Sequence, residues 1–392
     1  MRAAGRHGTS LAEIAGVKSS PQIPVAIFLT SFHPGGTERQ MIELIERLDR
    51  RRFDVHVACF HDDGEWAAKV HAVAPVSPFP IRGFARPDTI SRVARFAAWC
   101  RHRRIAVLQT CDFYANTFAL PAAALGRVRV RVGSRRELKP DKSRAQLALQ
   151  RQAYRFAHRV VANSSAAAQQ LVAEGLRPPR IRVIPNGVQL DRVVPRPSRP
   201  GVQTIVTVAN LRQEKAHEVL IDAAAMLTRR RPNLRFLIVG DGPRRAALEA
   251  LVDDRGLRAN VEFTGHRDDV PALLADGDLF VLPSRSEAFP NAAIEAMAAG
   301  LPVIASAVGG LLDLIESHRT GVLVPPDNPT ALAGAIDALI STPERAARIG
   351  ADARATVTAR YSFDRMVAAF NALYTSELGV RMPGARPLGA AA

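Results

Sequence analysis

Short runs of β-branched and aliphatic residues alternate with longer helical patterns along almost the whole chain, and this alternation restricts the fold more than any other feature. It is the signature of parallel sheets built from βαβ units. In the first half, strands are expected at VAIFLT (25–30), FDVHVACF (53–60), IAVLQ (105–109), VRVRV (128–132), HRVVAN (158–163) and IRVIP (181–185), with amphipathic segments such as TERQMIELIERLDR (37–50) between them. The second half repeats the scheme with TIVTVA (204–209), RFLIVG (235–240), VEFTG (261–265), DLFVLP (278–283), PVIAS (302–306) and GVLVP (321–325). The expected fold class is α/β, with two doubly wound domains facing each other. Ligands of such sheets bind beyond the carboxyl ends of the strands, so the cleft between the domains is where chemistry is sought.

A chain of 392 residues, 47% hydrophobic and 23% charged, is long enough to bury two cores. The proline-rich segment VQLDRVVPRPSRPGVQ (188–203) continues neither pattern and reads as an interdomain connection. The expected organisation is a loose leader at 1–21, a first domain at 22–190, a linker at 191–203 and a second domain at 204–360. A helix at 361–378 has an apolar stripe left uncovered by its own sheet and is expected to return to the first domain, before a disordered tail at 379–392. The leader lacks a continuous apolar stretch, so a cytoplasmic location is expected. Residues 296–312 carry no charge but are broken by Gly300, Pro302, Gly309 and Gly310, which leaves no spanning helix. Cys59, Cys100 and Cys111 have no paired spacing, which argues against a disulfide framework or zinc ribbon.

The formal charge of +16 is unevenly spread: residues 1–200 hold 33 basic and 15 acidic side chains, and residues 201–392 hold 20 and 22. A basic first half suits a nucleic acid or an anionic surface. Its arginines are scattered over many segments without interleaved aromatics, so no nucleic-acid partner is expected. An anionic membrane face is preferred, with which the amphipathic SRVARFAAWCRHRR (91–104) is compatible; a generally arginine-rich proteome is the alternative source of the charge.

The most informative stretch is SRSEAFPNAAIEAMAAGLPV (284–303), which follows an expected strand. Pro290 suits a first helical turn, and Gly300 with Pro302 ends the helix. Its N-terminus then faces the cleft with free N–H groups, an anion site that usually takes phosphate. Glu287 lies in the preceding loop. Glu295 lies inside the helix among Ile294, Ala296 and Met297, where a carboxylate needs a partner. That partner is either an arginine joining two elements or a pair of sugar hydroxyls. In VANLRQEKAHEVLIDAA (208–224), Arg212 and Lys215 fall where a strand gives way to a helix, placed to converge on a diphosphate. VGDGPRRAALEAL (239–251) has similar geometry through Gly240 and Gly242, though it is not the dinucleotide fingerprint. In SFHPGGTERQMIEL (31–44), Gly35 and Gly36 either admit a ligand to the backbone or simply make a turn. No Asp-x-Asp is expected in the donor region, and the adjacent pairs Asp253-Asp254 and Asp268-Asp269 are placed on surface turns.

In order along the chain, PGGTERQ, VANSSAAAQQL (161–171), VIPNGV (183–188), the Arg212–Lys215 loop, VGDGP, VEFTGHRDDV, Glu287-x7-Glu295 and VGGLLDLIESHRTGVLVPPDNPTALAGAI (308–336) resemble retaining glycosyltransferase family 4, over about residues 22–378. The resemblance implies the GT-B arrangement of two Rossmann-like domains, the second holding a nucleotide-sugar donor and the first an acceptor, with the last helix crossing back. It implies that Glu295 binds the ribose, Glu287 the donor sugar, and the backbone of Phe289, Pro290 and Asn291 the phosphates. Arg212 and Lys215 would neutralise the leaving diphosphate, with Gly35, Gly36, Gly240, Gly242 and His266 completing the nucleotide-sugar site. Two positions depart from the family pattern. Asn210 stands where an Arg is usual, with Arg212 two positions later, and VRVGSRREL (130–138) lacks the usual His, which leaves the roles of Ser134, Arg135 and Arg136 open.

The expected activity is therefore transfer of a sugar from a UDP- or GDP-sugar to a sugar or lipid-linked acceptor, with retention, no metal and no cofactor. Polysaccharide, lipopolysaccharide or glycolipid assembly, at the inner face of a membrane, is the expected setting. A nucleotide-sugar epimerase or hydrolase on the same scaffold, or a non-catalytic basic binding protein, are the alternatives.

Overall fold

The computed structural model describes residues 21–84, 86–138, 143–194 and 203–380. The expected leader except its last residue, the centre of the linker and most of the tail lie outside these.

The first sheet contains β1 (Ile23–Leu29), β2 (Phe53–Cys59), β3 (Val76–Pro78), β4 (Val107–Thr110), β5 (Val130–Arg135), β6 (Arg159–Ala162) and β7 (Ile181–Val183), in the order β3-β2-β1-β4-β5-β6-β7. The second contains β8 (Thr204–Val208), β9 (Arg235–Val239), β10 (Val261–Gly265), β11 (Leu279–Leu282), β12 (Val303–Ser306) and β13 (Val322–Val324), in the order β10-β9-β8-β11-β12-β13. Every pairing in both sheets is parallel. In both, the order reverses beside the first strand, which opens a crevice at the carboxyl ends. Central strands are apolar on both faces because helices cover both; β11 and β12 are buried at every residue. The strand that composition hides is β3, an edge segment set between Pro75 and Pro80 and ending on Pro78. Proline is tolerated there because an edge strand leaves one row of N–H groups unpaired.

The helix Phe363–Leu378 crosses to the first domain. Its Phe363, Met366, Val367, Phe370, Leu373 and Tyr374 belong to the core formed with β1, β2 and β4. Tyr374 Oη donates to Gln109 Oε1 at 3.2 Å. The outgoing and returning chains run side by side: Val188 N donates to Tyr361 O at 2.8 Å, and Phe363 N to Val188 O at 3.2 Å. The two domains are thereby joined twice.

One expectation is corrected here. Helix Pro87–His102 turns its apolar stripe, Phe96, Ala97 and Cys100, into the first core, with Val93 and Trp99 packed against it. Amphipathicity in 91–104 is used up by domain packing, not by a membrane. Among the described residues, no helix is long and apolar enough to cross a membrane. All three cysteines are buried free thiols.

Candidate active site

The carboxyl ends of β8 and β11 face those of β1 and β5 across a cleft of about 660 Å³. From the second domain it is lined by Asn210, Arg212, Lys215, Arg285, Phe289 and Asn291; from the first, by Gly36, Thr37, Arg136, Asn163 and Asn186.

Beyond β8 the chain turns through Asn210 and Arg212 into a tight turn, Gln213–Lys215, ahead of helix His217–Thr228. This loop is held from behind. Ala209 N donates to Val239 O, Leu211 N to Asp241 O and Arg244 N to Leu211 O, each at 3.0 Å. Gly240 and Gly242 permit that approach: a Cβ on Gly240 would stand 2.1 Å from Ala209 O, and one on Gly242 2.8 Å from Leu211 O. Both glycines serve chain-on-chain packing that aims the Arg212 loop.

Beyond β11, Glu287 is buried, and its Oε1 accepts from Lys215 Nζ at 2.6 Å and from Ser284 Oγ at 2.7 Å. Arg212, two positions after Asn210, is exposed and makes no ion pair among the described residues. Of the two cations, then, Lys215 is engaged and Arg212 is free to meet an anion. Helix Asn291–Ala299 starts one residue later than expected, with Pro290 as an extended N-cap and no side chain closing its end. Its leading N–H groups keep the positive end of the dipole turned to the cleft.

Across the interface, Asn291 Oδ1 accepts from Asn186 Nδ2 at 2.8 Å and from Gln40 Nε2 at 3.3 Å. Glu295 is paired with Arg39 of helix Gly36–Arg47 at 2.5 Å. Burial raises the Glu295 pKa while the Arg39 charge opposes that rise. Of the two kinds of partner open to it in the sequence, the arginine is the one present. Of the glycine pair, Gly36 lines it, whereas the space beside Gly35 is filled by the Glu38 carboxylate. His266 is 70% exposed, and its Nε2 stands 3.7 Å from Asp268 Oδ1.

Of the three residues left open at the end of β5, only Arg136 reaches the cleft. Arg135 is buried against Glu174 at 2.7 Å, and Ser134 Oγ donates to Thr110 O at 2.6 Å. Arg136 Nη1 donates to Asn186 Oδ1 at 2.8 Å, but its buried Nε and Nη2 have no hydrogen-bond partner. Burial pulls its pKa down to about 10. Two adjacent arginines look alike in sequence: Arg135 ends β5 and Arg136 opens the loop beyond it, and only the folded backbone decides which one reaches the cleft.

An Asp-x-Asp does occur, Asp276-Gly277-Asp278, but it stands at the amino end of β11, the edge remote from the cleft. Asp278 Oδ2 there accepts from Gln203 N and Thr204 N at 2.9 Å. Among the described residues, no group of three His, Cys, Asp or Glu side chains is placed to hold a metal ion.

Residues 34–192 match the family model "Glycosyltransferase Family 4", and residues 195–356 match "Glycosyl transferases group 1". The chain belongs to glycosyltransferase family 4. This family 4 chain is 39% identical over 160 residues to alpha-D-kanosaminyltransferase of Streptomyces kanamyceticus, 40% of this chain and 42% of that protein. It is 37% identical over 243 residues to D-inositol 3-phosphate glycosyltransferase of Gordonia bronchialis, 56% and 52% of the two lengths. The chain thus spans about half the length of these curated relatives. The crystal structure of Anabaena HepE in complex with UDP-glucose is similar with a TM-score of 0.79 over 91% of this chain and 100% of that one, at 24% identity. That likeness shows the fold: this family 4 glycosyltransferase has the GT-B arrangement of two Rossmann-like domains.

Proposed function

We propose that the chain transfers a sugar from a nucleoside-diphosphate sugar, UDP- or GDP-linked, to an acceptor hydroxyl with retention at the anomeric carbon. The observation that carries this reading is the gathering, on the second-domain wall of one cleft, of Arg212, Lys215 paired to Glu287, and an uncapped helix N-terminus. These groups suit a diphosphate whose charge grows as it departs. The bond from the anomeric carbon to the diphosphate oxygen breaks, the acceptor oxygen bonds to that carbon, and the acceptor proton leaves with the diphosphate. Side-chain cations and the helix dipole supply the positive field, so the reaction is proposed to need neither metal nor cofactor. Glu287 faces the donor sugar and Glu295 the ribose in this reading. Arg136 contributes positive charge from the acceptor side.

The acceptor is proposed to be a sugar or a lipid-linked sugar, met at the cytoplasmic face of an anionic membrane. The excess of basic residues in residues 1–200 supports that setting. Thermal shift across UDP-, GDP- and ADP-sugars tests the donor site, since a ligand stabilises the fold in proportion to ln(1+[L]/Kd). A rise in Tm with one donor family, followed by acceptor-dependent release of the nucleoside diphosphate, is expected. No shift with any of them, or release that is independent of acceptor, would overturn the reading.

A further inference from the structure

We propose that the outer side of helix Arg144–Arg155, with the hollow beside it, docks on an anionic lipid surface; this rests on the membrane setting above and names the element that carries it. At about 100° per residue the exposed arc of this helix is itself divided. Leu149 and Phe156, seven residues apart and 42% and 43% exposed, lie along one edge with Ala145. Arg144, Arg151 and Arg155 lie along the other. The opposite side of the helix is spent on the core through Gln150, Ala153 and Tyr154, which are buried. On the following helix, Ser165–Ala173, Val172 is 45% exposed. Single exposed apolar residues need no explanation, but here two share one helix edge beside a row of arginines.

The row borders a hollow of about 500 Å³, separate from the catalytic cleft and lined by Ala148, Arg151, Arg155, Arg177, Arg180 and Glu174 among others. Its one carboxylate, Glu174, is already matched by the buried Arg135 at 2.7 Å. Arg151, Arg155 and Arg177 make no ion pair among the described residues, and Arg180 spends its guanidinium on the carbonyls of Tyr154 and Ala157. The hollow is therefore a site of uncompensated positive charge. Leucine and phenylalanine flanked by arginines is the composition of a surface that sits at the headgroup boundary, its apolar side chains entering the acyl layer while guanidinium groups hold phosphates. A soluble anion would fill the hollow without any use for Leu149 and Phe156, so the bilayer is the occupant these residues favour. The same helix follows the cleft residues Glu137 and Leu138 in sequence, which would bring a membrane-held acceptor near the first-domain wall.

Flotation of the full chain with vesicles of phosphatidylcholine alone, or mixed with phosphatidylglycerol, tests this. The native protein should float only with the anionic mixture and be released by added salt. The pair Leu149→Ser and Phe156→Ser, and separately Arg151→Gln and Arg155→Gln, should each weaken vesicle binding about tenfold or more. Both pairs change exposed side chains, and unchanged Tm and nucleoside-diphosphate affinity confirm that the fold and the donor site are intact. If the native protein floats and both double variants float equally well, this surface is not the docking element, although the membrane setting stands. If the native protein does not float, both fall. Release by inorganic phosphate beyond that caused by chloride of equal ionic strength would identify a soluble anion as the occupant and overturn the proposal.

Discussion

Arg39 in the opening helix of the first domain and Glu295 in helix Asn291–Ala299 of the second form an ion pair at 2.5 Å that ties the two walls of the cleft together. The Glu295 side chain is 18% exposed, so its charge is held largely out of water and depends on that partner. A ribose diol reaching Glu295 has to displace Arg39 or share the carboxylate with it. Glu295→Gln is expected to keep the fold and weaken nucleoside-diphosphate binding by roughly 1–3 kcal/mol, as charge-assisted hydrogen bonds become neutral. Arg39→Ala should lower Tm and, by removing the competitor, tighten that binding. Calorimetry reads both; unchanged affinity in Glu295→Gln would exclude the ribose role.

Arg212 and Lys215 should separate in a way that only their surroundings explain. Lys215→Ala strands the buried Glu287 carboxylate, and breaking such a pair costs about 3–5 kcal/mol, so both Tm and kcat/KM should fall. Arg212 is exposed and unpaired, so Arg212→Ala should leave Tm unchanged while lowering kcat/KM more than it lowers affinity for the free nucleotide. Denaturation curves beside steady-state kinetics decide it. A stable, fully active Arg212→Ala would remove Arg212 from the leaving-group site.

Period and composition made the sheets legible, because a strand buried on both faces has no polar alternation to confuse it; β8, β9 and β10 begin at the residues expected. The edge strand β3 was hidden by prolines that only an edge tolerates. At the site, Lys215 and Glu287 stand out in sequence because strand-to-helix loops at carboxyl ends are marked there, and the structure pairs them at 2.6 Å. At Gly240 and Gly242 the sequence is ambiguous, because a glycine needed for close approach looks the same whether a phosphate or another loop does the approaching; here a loop stands against both. Arg136 and the Arg39–Glu295 pair depend on which side a strand residue faces and on how two domains meet, and neither has a local signature.

Burial without a partner makes His217 a source of acid sensitivity. It opens the helix that follows the Lys215 turn, both ring nitrogens lack hydrogen-bond partners, and burial pulls its pKa from 6.5 to about 4. The unfolded chain takes up the proton first, so stability is full above about pH 6.5 and is lost as pH falls towards about 4. The loss from this group should approach about 3 kcal/mol. His217→Leu, apolar and of similar size, should flatten the pH dependence of denaturant unfolding across that window. An equal acid slope in the variant would show that other groups govern it.

Stereochemistry and metal dependence are checked together. With Arg212, Lys215 and the N-terminus of helix Asn291–Ala299 supplying positive charge, transfer should proceed in excess EDTA and give a product with the donor's anomeric configuration. Glu287→Ala should abolish transfer while changing nucleotide affinity less. NMR of the purified product settles the first point: an inverted coupling constant, or activity that returns only with manganese, would rule out the proposed mechanism.

The loop that carries Glu287 is held by Gly310, in the turn that follows β12. Gly310 N donates to Glu287 O at 2.9 Å, and a Cβ on Gly310 would stand 2.0 Å from Ala288 O. Its backbone is in the ordinary helical region, φ −68°, so alanine there brings a clash without dihedral strain. Gly310→Ala should therefore push the 287–288 backbone aside, costing about 1–3 kcal/mol of stability. It should also lower kcat/KM although Glu287 itself is present. Gly334→Ala is the matched control, because Gly334 sits within helix Pro329–Ile340 with nothing within 4 Å of the added methyl. That change should stabilise by about 0.5–1 kcal/mol through helix propensity and leave turnover alone. Full activity in Gly310→Ala would mean that the placement of Glu287 tolerates movement of its loop, and a direct contact between Glu287 and the donor sugar could not then be held to that geometry.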